Sequence, residues 1–334
     1  MNIKSDSGFD FSRLRGESIL ITGGAGFLGN RVVNRLQRLG FADNIASGQT
    51  AQPNNLYINR SIIFDLTQEK HVCDLFSYLK PSIVIHLAAA VGGIGANQKT
   101  PGDFFYRNAM MGILCQEYAR RNGVKKFVTI GTVCSYPKFT PVPFKESDIW
   151  NGYPEETNAA YGIAKKSLLV QGLAYRQQYG FNSVHLLPAN LYGPNDNFDD
   201  NASHVIPALI KKAIIAKDKG EVYLDIWGDG TPTREFLYVD DAAEAIVRAV
   251  AVYDESDPLN IGSGDEVSIA NLADTIASLV GFGGQIRFDP SKPNGQPKRK
   301  LDSSLSHLKL GSYNGMALID GLKTTIDWYK NNAR

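Results

Sequence analysis

The sequence predicts an α/β fold, a doubly wound parallel sheet with a smaller C-terminal α/β region. Three observations carry that expectation. Short β-rich runs alternate with helical patterns through the first 192 residues. The runs are continuously apolar, as strands covered on both faces must be. A glycine-rich turn, TGGAGFLG (22–29), follows the first of them directly.

The elements follow in order. SILIT (18–22) reads as a buried strand and FLGNRVVNRLQRLG (27–40) as the helix after it. The second strand is expected to end near NIASGQT (44–50). SIIF (61–64) reads as another strand, and QEKHVCDLFSYLK (68–80) as helix. SIVIHLAAA (82–90) is a strand running into a loop of small residues. PGDFFYRNAMMGILCQEYARRNG (101–123) is a long helix, KKFVTIG (125–131) a strand, Tyr161 to Tyr179 a helix, and NSVHLLPA (182–189) the next strand. After about Tyr192 the pattern loosens into the polar loop YGPNDNFDDNASH (192–204). Strand and helix signals return in EVYLDIWG, DDAAEAIVRAVAVY, PLNIG and SIANLADTIASLV, before the Pro- and Lys-rich FDPSKPNGQPKRKLD (288–302). Residues 1–192 are therefore expected to form mainly the nucleotide-binding domain. Residues 193–334 are expected to form mainly the substrate-binding region, with the chain crossing back to the first domain.

Composition limits the function. The chain has 334 residues and a formal net charge of +1. That length supplies ample core. A near-neutral charge argues against a general nucleic-acid or membrane-surface role. Cys73, Cys115 and Cys134 form no CxxC pair, and their odd number fits a reducing compartment. The polar start MNIKSDSGFDFSRLRGES lacks a signal peptide's apolar core, and no apolar run of about 18 residues suggests a span. The expectation is a soluble cytoplasmic protein with no bound metal.

In the turn, Gly23, Gly26 and Gly29 recur at three-residue intervals. Glycines there permit a tight turn and close backbone approach to a pyrophosphate, and the next helix offers its first N–H groups to the anion. A glycine-rich turn alone is weak evidence. Between a strand and a helix, opening a β-α alternation, it is a strong sign of a Rossmann-type dinucleotide site. The choice between NAD and NADP is not decided by these residues. ASGQT (46–50) contains neither the acidic residue that would bind a ribose hydroxyl nor the arginine that would favour a 2′-phosphate, so NAD and NADP both remain open.

Tyr161 and Lys165 lie four apart, on one helix face. An ammonium near a phenol favours the phenolate, which would lower the tyrosine pKa and make it a usable acid or base. Thr132, at a strand end, is placed to polarise the same carbonyl. YxxxK alone occurs often by chance; joined to the fingerprint and the hydroxyl, it points to hydride chemistry on a carbonyl.

TGGAGFLG, the strand-end hydroxyl and YGIAK together resemble the extended short-chain dehydrogenase/reductase family. Four further blocks, AAAVGGIGAN (88–97), CSYPKFTPVPFKE (134–146), NLYGPNDNFDDNASHVIPALI (190–210) and WGDGTPTREFLYVDD (227–241), are similar to its GDP-L-fucose synthases, the GDP-4-keto-6-deoxy-mannose 3,5-epimerase/4-reductases. The resemblance covers nearly the whole chain. It implies NADP, a GDP-sugar substrate, and a homodimer paired through the helices that begin near Pro101 and Ala160.

The resemblance also implies site residues. Thr132 would hold the C4 oxygen, Tyr161 protonate it, and Lys165 tune Tyr161 and bind ribose. Cys134 would be the base and His204 the acid that exchange the protons at C3 and C5, which the adjacent ketone makes acidic. Cys134, two residues after Thr132, should share its face of an extended strand. Cofactor contacts would come from Gly23, Gly26, Phe27, Leu28, Gly29, Ala88, Ala89, Asn108, Lys165, Pro188, Asn190, Leu191 and His204. Lys212, Trp227, Arg234, Asn294 and Arg299 would hold the substrate, the two arginines gripping its diphosphate. Departures are Thr132 for serine, Ala25 within the turn, Lys212 for arginine and Asn294 for aspartate. Two other readings compete: a GDP-mannose 3,5-epimerase or related nucleotide-sugar enzyme, with no net reduction in the former, and a non-catalytic dinucleotide-binding protein.

Overall fold

Strand β1 (Ile19–Thr22) is buried at all four positions and sits at the centre of the fold. The computed structural model describes residues 8–43, 54–59, 61–200, 202–292 and 294–332. Among them, β1, β2 (Ala42–Asp43), β3 (Asn55–Asn59), β4 (Ile83–His86), β5 (Lys126–Ile130) and β6 (Ser183–Pro188) join β10 (Leu259–Ile261) in one sheet of order 2-3-1-4-5-6-10. Every pairing in it is parallel. The order reverses on either side of β1, so the crevice at the carboxyl ends of β1 and β4 is where such a sheet binds ligands.

Helices cover both faces. Each has local reasons for its ends. Helix α1 (Phe27–Arg38) begins at Gly26, and α2 (Glu69–Leu79) stops at Lys80, in the left-handed region ahead of Pro81. After the short α3 (Ile94–Lys99), α4 (Pro101–Arg121) takes proline at its first position, where a missing N–H costs nothing. Helix α5 (Ala159–Tyr179) ends on left-handed Gly180. Phe127, Val84 and Leu20 pack beneath α2 and α4, while Ile19, Ile21 and Ile85 pack towards α1 and α7 (Val239–Val252).

The C-terminal half supplies a second core. Helices α6 (Val205–Asp218), α8 (Ile269–Val280) and α10 (Leu318–Asn332) pack around β8 (Tyr223–Trp227) and β9 (Thr233–Tyr238). Strand β9 pairs with β7 (Asn190–Tyr192), β11 (Glu266–Ser268) and β13 (Lys298–Arg299), and β8 with β12 (Gln285–Asp289). Yet β10 belongs to the large sheet, α7 packs on α1 beside it, and α9 (Ser304–Leu310) packs on α7, so the chain passes between the two bodies more than once.

Two expectations need correction or fall away. SIIF (61–64) is a turn and not a strand; Ile62 is 92% exposed. The strand is Asn55–Asn59, which buries Leu56 and Tyr57 against β1. Its asparagine ends hide the apolar centre, whereas the isoleucine pair of SIIF advertises a strand that has no sheet position to fill. The stretch 44–50, expected to end the second strand, lies outside the described residues, as does Arg60.

Candidate active site

The glycine turn is built for close approach. A Cβ on Gly23, whose φ is +72°, would stand 2.7 Å from the Ala88 nitrogen, and one on Gly29 would stand 2.1 Å from the Gly23 carbonyl oxygen. Helix α1 therefore begins directly against the turn. No side chain caps it, so its first N–H groups remain available to an anion. Phe27 and Leu28, partly exposed, form its first turn. Across the crevice, Asn108 of α4 donates to the Ala90 and Phe104 carbonyls and accepts from Ala90 N–H. This clamp fixes the strand-end loop carrying Ala88 and Ala89. Pro188, Asn190 and Leu191 line the parallel edge at β6 and β7, where Asn190 donates to the Glu235 carbonyl at 3.0 Å. The cradle fits a dinucleotide pyrophosphate.

Next to it lies the reacting constellation. Thr132 leaves β5 in extended conformation and caps a 3₁₀ turn over Val133–Ser135, its Oγ1 accepting Cys134 N–H at 3.2 Å. Cys134 is thus not on an extended strand; the turn, not a two-residue repeat, brings it beside Thr132. Helix α5 docks on this turn through Ser135 Oγ, which donates to the Gly162 carbonyl at 2.9 Å. That contact sets Tyr161 over Thr132 and Cys134. Burial pushes the Tyr161 phenol above its usual range, the nearby Cys134 adds to the rise, and the Thr132 hydroxyl eases it down. The expected lowering by Lys165 is not what this arrangement gives: desolvation dominates, and the phenol stays protonated. Lys165 makes no hydrogen bond among the described residues; burial lowers it to about 8.

Arginines close the far side. Arg299 Nη1 donates to Cys134 Sγ at 3.4 Å, and its Nε to Gln296 Oε1 at 3.1 Å. Arg234, paired with Arg299 across β9 and β13, is lowered to about 10, first by burial and then by Arg299. Its Nη2 donates to the Asn294 carbonyl, and Asn294 Oδ1 accepts Asp229 N–H. This leads to Trp227, 58% exposed, with Lys212 Nζ 5.8 Å and Lys292 Nζ 5.7 Å from its ring centre. The tryptophan is a surface platform between two cations.

His204 is positioned by a separate route. The loop before it docks on the β4 loop, Gly93 N–H donating to the Ala202 carbonyl at 3.1 Å. Asn97 holds that loop by donating to the Gly92 and Gly93 carbonyls. His204 stands at the N-cap position of α6 without a side-chain capping bond, and desolvation by the surrounding protein lowers its pKa. The structure records no direct contact between it and Cys134.

Sequence reasoning missed Gln296, Lys292 and Glu235. Glu235, buried, accepts Leu301 N–H at 2.7 Å and Gly264 N–H at 2.8 Å, tying the arginine-bearing strands to the end of β10. An acidic residue between Arg234 and the apolar Phe236–Tyr238 was its one signal. Gln296 and Lys292 lie in a Pro- and Gly-rich stretch with no periodicity to mark them.

Comparison with known proteins identifies the family. Residues 19–262 match the NAD dependent epimerase/dehydratase family. GDP-L-fucose synthase 1 of Arabidopsis thaliana is 40% identical over 94% of this chain and 93% of its own. A GDP-6-OMe-4-keto-L-xylo-heptose reductase from C. jejuni superposes with a TM-score of 0.86 at 29% identity, covering 97% of this chain and 99% of that one. A GDP-L-fucose synthetase from Naegleria fowleri bound to NADP gives 0.83 at 27% identity, over 96% and 95%. The chain belongs to the NAD dependent epimerase/dehydratase family, on its GDP-L-fucose synthase branch.

Proposed function

We propose that this protein converts GDP-4-keto-6-deoxy-mannose to GDP-L-fucose, as a 3,5-epimerase/4-reductase using NADPH. One observation carries the reading: Thr132, Cys134 and Tyr161 meet at the carboxyl end of the sheet, with Arg299 on the thiol. A plain reductase needs the hydroxyls and the lysine but has no use for a thiol held there.

The Thr132 and Tyr161 hydroxyls hold the C4 oxygen and polarise the ketone. The protons on C3 and C5 become acidic; Cys134 removes one and His204 delivers one from the opposite face. When bound, NADPH supplies the hydride for C4. Tyr161 then gives its phenolic proton to the C4 oxygen, and its elevated pKa keeps that proton in place until it is needed. Arg234 and Arg299 neutralise the diphosphate, with Trp227 and Lys212 at the nucleotide end.

The protein acts as a homodimer in this reading. Helices α4 and α5 pack side by side and leave Phe105, Tyr106, Ile113 and Val170 exposed, a strip suited to a second copy. Free thiols on Cys73, Cys115 and Cys134 suit a reducing, cytoplasmic setting. No helix among the described residues is long and apolar enough to cross a membrane.

A panel of 4-keto nucleotide sugars, offered with NADPH or NADH and followed by absorbance and product mass, tests the reading. Loss of NADPH absorbance with a reduced GDP-sugar is expected. Turnover without net cofactor consumption would favour a pure epimerase instead.

A further inference from the structure

Two buried cations stand beside Cys134 without a counter-charge. Arg299 is 8% exposed and forms no ion pair among the described residues. Arg234, its register partner on β9, forms none either. A buried guanidinium without an anion is costly, and two in register repel each other. Among the groups that favour the Arg234 charge, Cys134 comes first, ahead of Glu155 and Glu266. An anion completes such a site. The substrate diphosphate is one candidate; the sulfur of Cys134 is another, and it is present before any substrate arrives.

Gln296 sets how the Arg299 fork lies. It is buried, its Oε1 accepts Arg299 Nε–H at 3.1 Å, and its Nε2 donates to the Lys138 carbonyl at 2.9 Å. Lys138 follows Cys134 by four residues and is itself fixed: its N–H donates to the Tyr153 carbonyl at 3.0 Å, and Pro137 bridges to Pro154. One stretch of backbone therefore carries both the thiol and the anchor of its cation. With Nε held, the planar guanidinium turns Nη1 onto Cys134 Sγ at 3.4 Å. Arg299 Nη2 donates to no protein atom among the described residues. A carboxylate in place of the amide would hold the fork as firmly, but would cancel its charge and take two of its donors. A neutral amide orients the cation and leaves its charge intact.

We propose that Gln296 is a positioning residue for the base: it fixes the Arg299 guanidinium on Cys134, so that the sulfur's negative charge forms against a cation, and leaves the outer nitrogen of the same fork to the substrate diphosphate. The role in proton removal rests on the epimerase reading. The thiolate takes the proton from carbon, and the C–H electron pair moves into the C4 carbonyl. The negative charge passes from sulfur to the C4 oxygen beside Thr132 and Tyr161, while the diphosphate stays on the outer edge of Arg299.

Iodoacetamide reacts with thiolates and tests the pairing without substrate. Alkylation is read cysteine by cysteine from peptide masses, with the free, partly exposed Cys73 as internal reference. Arg299→Met should slow alkylation of Cys134 by about tenfold, the size of a lost hydrogen bond to a charged group, and Gln296→Met should come close to it. Cys73 should not change. Gln296→Met added to Arg299→Met should slow Cys134 no further, because the amide acts through the guanidinium. Wild-type alkylation rates in both single variants, or additive losses in the double variant, overturn the proposal. Gln296→Leu replaces the methionine variant if thermal melts show that one unfolded. With the keto-sugar, Gln296→Met should lose deuterium wash-in at C3 and C5 by about tenfold while NADPH affinity stays as in wild type; wash-in at the wild-type rate overturns the role in proton removal. A wild-type protein that washes in no deuterium, yet shows the alkylation losses, would sink the epimerase reading and that role with it, and establish the pairing of Gln296, Arg299 and Cys134 alone.

Discussion

Replacing Gly29 with alanine should cripple cofactor binding while leaving the fold recognisable. The added Cβ would stand 2.1 Å from the Gly23 carbonyl oxygen and 2.6 Å from the Gly24 Cα, both backbone atoms that cannot swing aside. Ordinary contact needs about 1 Å more, so the start of α1 must back away from the turn by about that much. Overpacking of this kind costs about 1–3 kcal/mol of stability. The same shift carries the first N–H groups of α1 away from the pyrophosphate. Losing one hydrogen bond to a charged group costs about 1.5–3 kcal/mol, so NADPH affinity should fall about 10- to 150-fold. Gly95→Ala is the control: it lies in α3 with no heavy atom within 4 Å of the added methyl, and should be neutral or slightly stabilising. Calorimetric titration with NADPH and thermal melts of both variants provide the measurements. A Gly29→Ala protein that binds NADPH within twofold of wild type would refute the close-approach argument.

Tyr161→Phe should lower the reduction rate by about two to four orders of magnitude, the usual size for a lost general acid, and Lys165→Met should also weaken cofactor binding; near-normal single-turnover reduction would remove Tyr161 from the chemistry. Burial raises the Asp196 carboxyl to about 7, with one oxygen unpartnered, so the folded state binds the extra proton and wild-type stability should fall as pH rises from about 4 to about 7. Asp196→Asn should remove that slope and gain a few kcal/mol at pH 8 with little change at pH 4; parallel denaturation curves for the two proteins across this range would contradict it. Light scattering should give a dimer at micromolar concentration, and Tyr106→Arg on the exposed strip of α4 should shift it to monomer; a wild-type monomer would count against the pairing.

Much of this was legible in the chain because local patterns and tertiary roles coincide. TGGAGFLG works within a single strand-turn-helix, so its spacing already contains the cradle that Gly23 and Gly29 form. Thr132 and Cys134 were correctly seen as neighbours, but the reason was wrong: a hydroxyl that caps its own turn takes the chain out of the strand. The contact of Arg299 with Cys134 spans 165 residues and needs β13 beside β9, which no periodicity reveals. The tyrosine was misjudged for a different reason. A YxxxK spacing reports the charge nearby but not the desolvation around it, and here desolvation prevails. SIIF misled because apolar content signals a strand only where a neighbouring strand exists to pair with it.

Deuterium uptake from heavy water at C3 and C5 of the keto-sugar, read by NMR without reduced cofactor, tests the central claim most directly. The wild-type protein should wash deuterium into both carbons. Cys134→Ala should lose that exchange by at least about two orders of magnitude, and with NADPH should still slowly reduce C4, giving the alcohol of the unepimerised sugar. Exchange at both positions at the wild-type rate in Cys134→Ala would contradict the account and leave the thiol as packing.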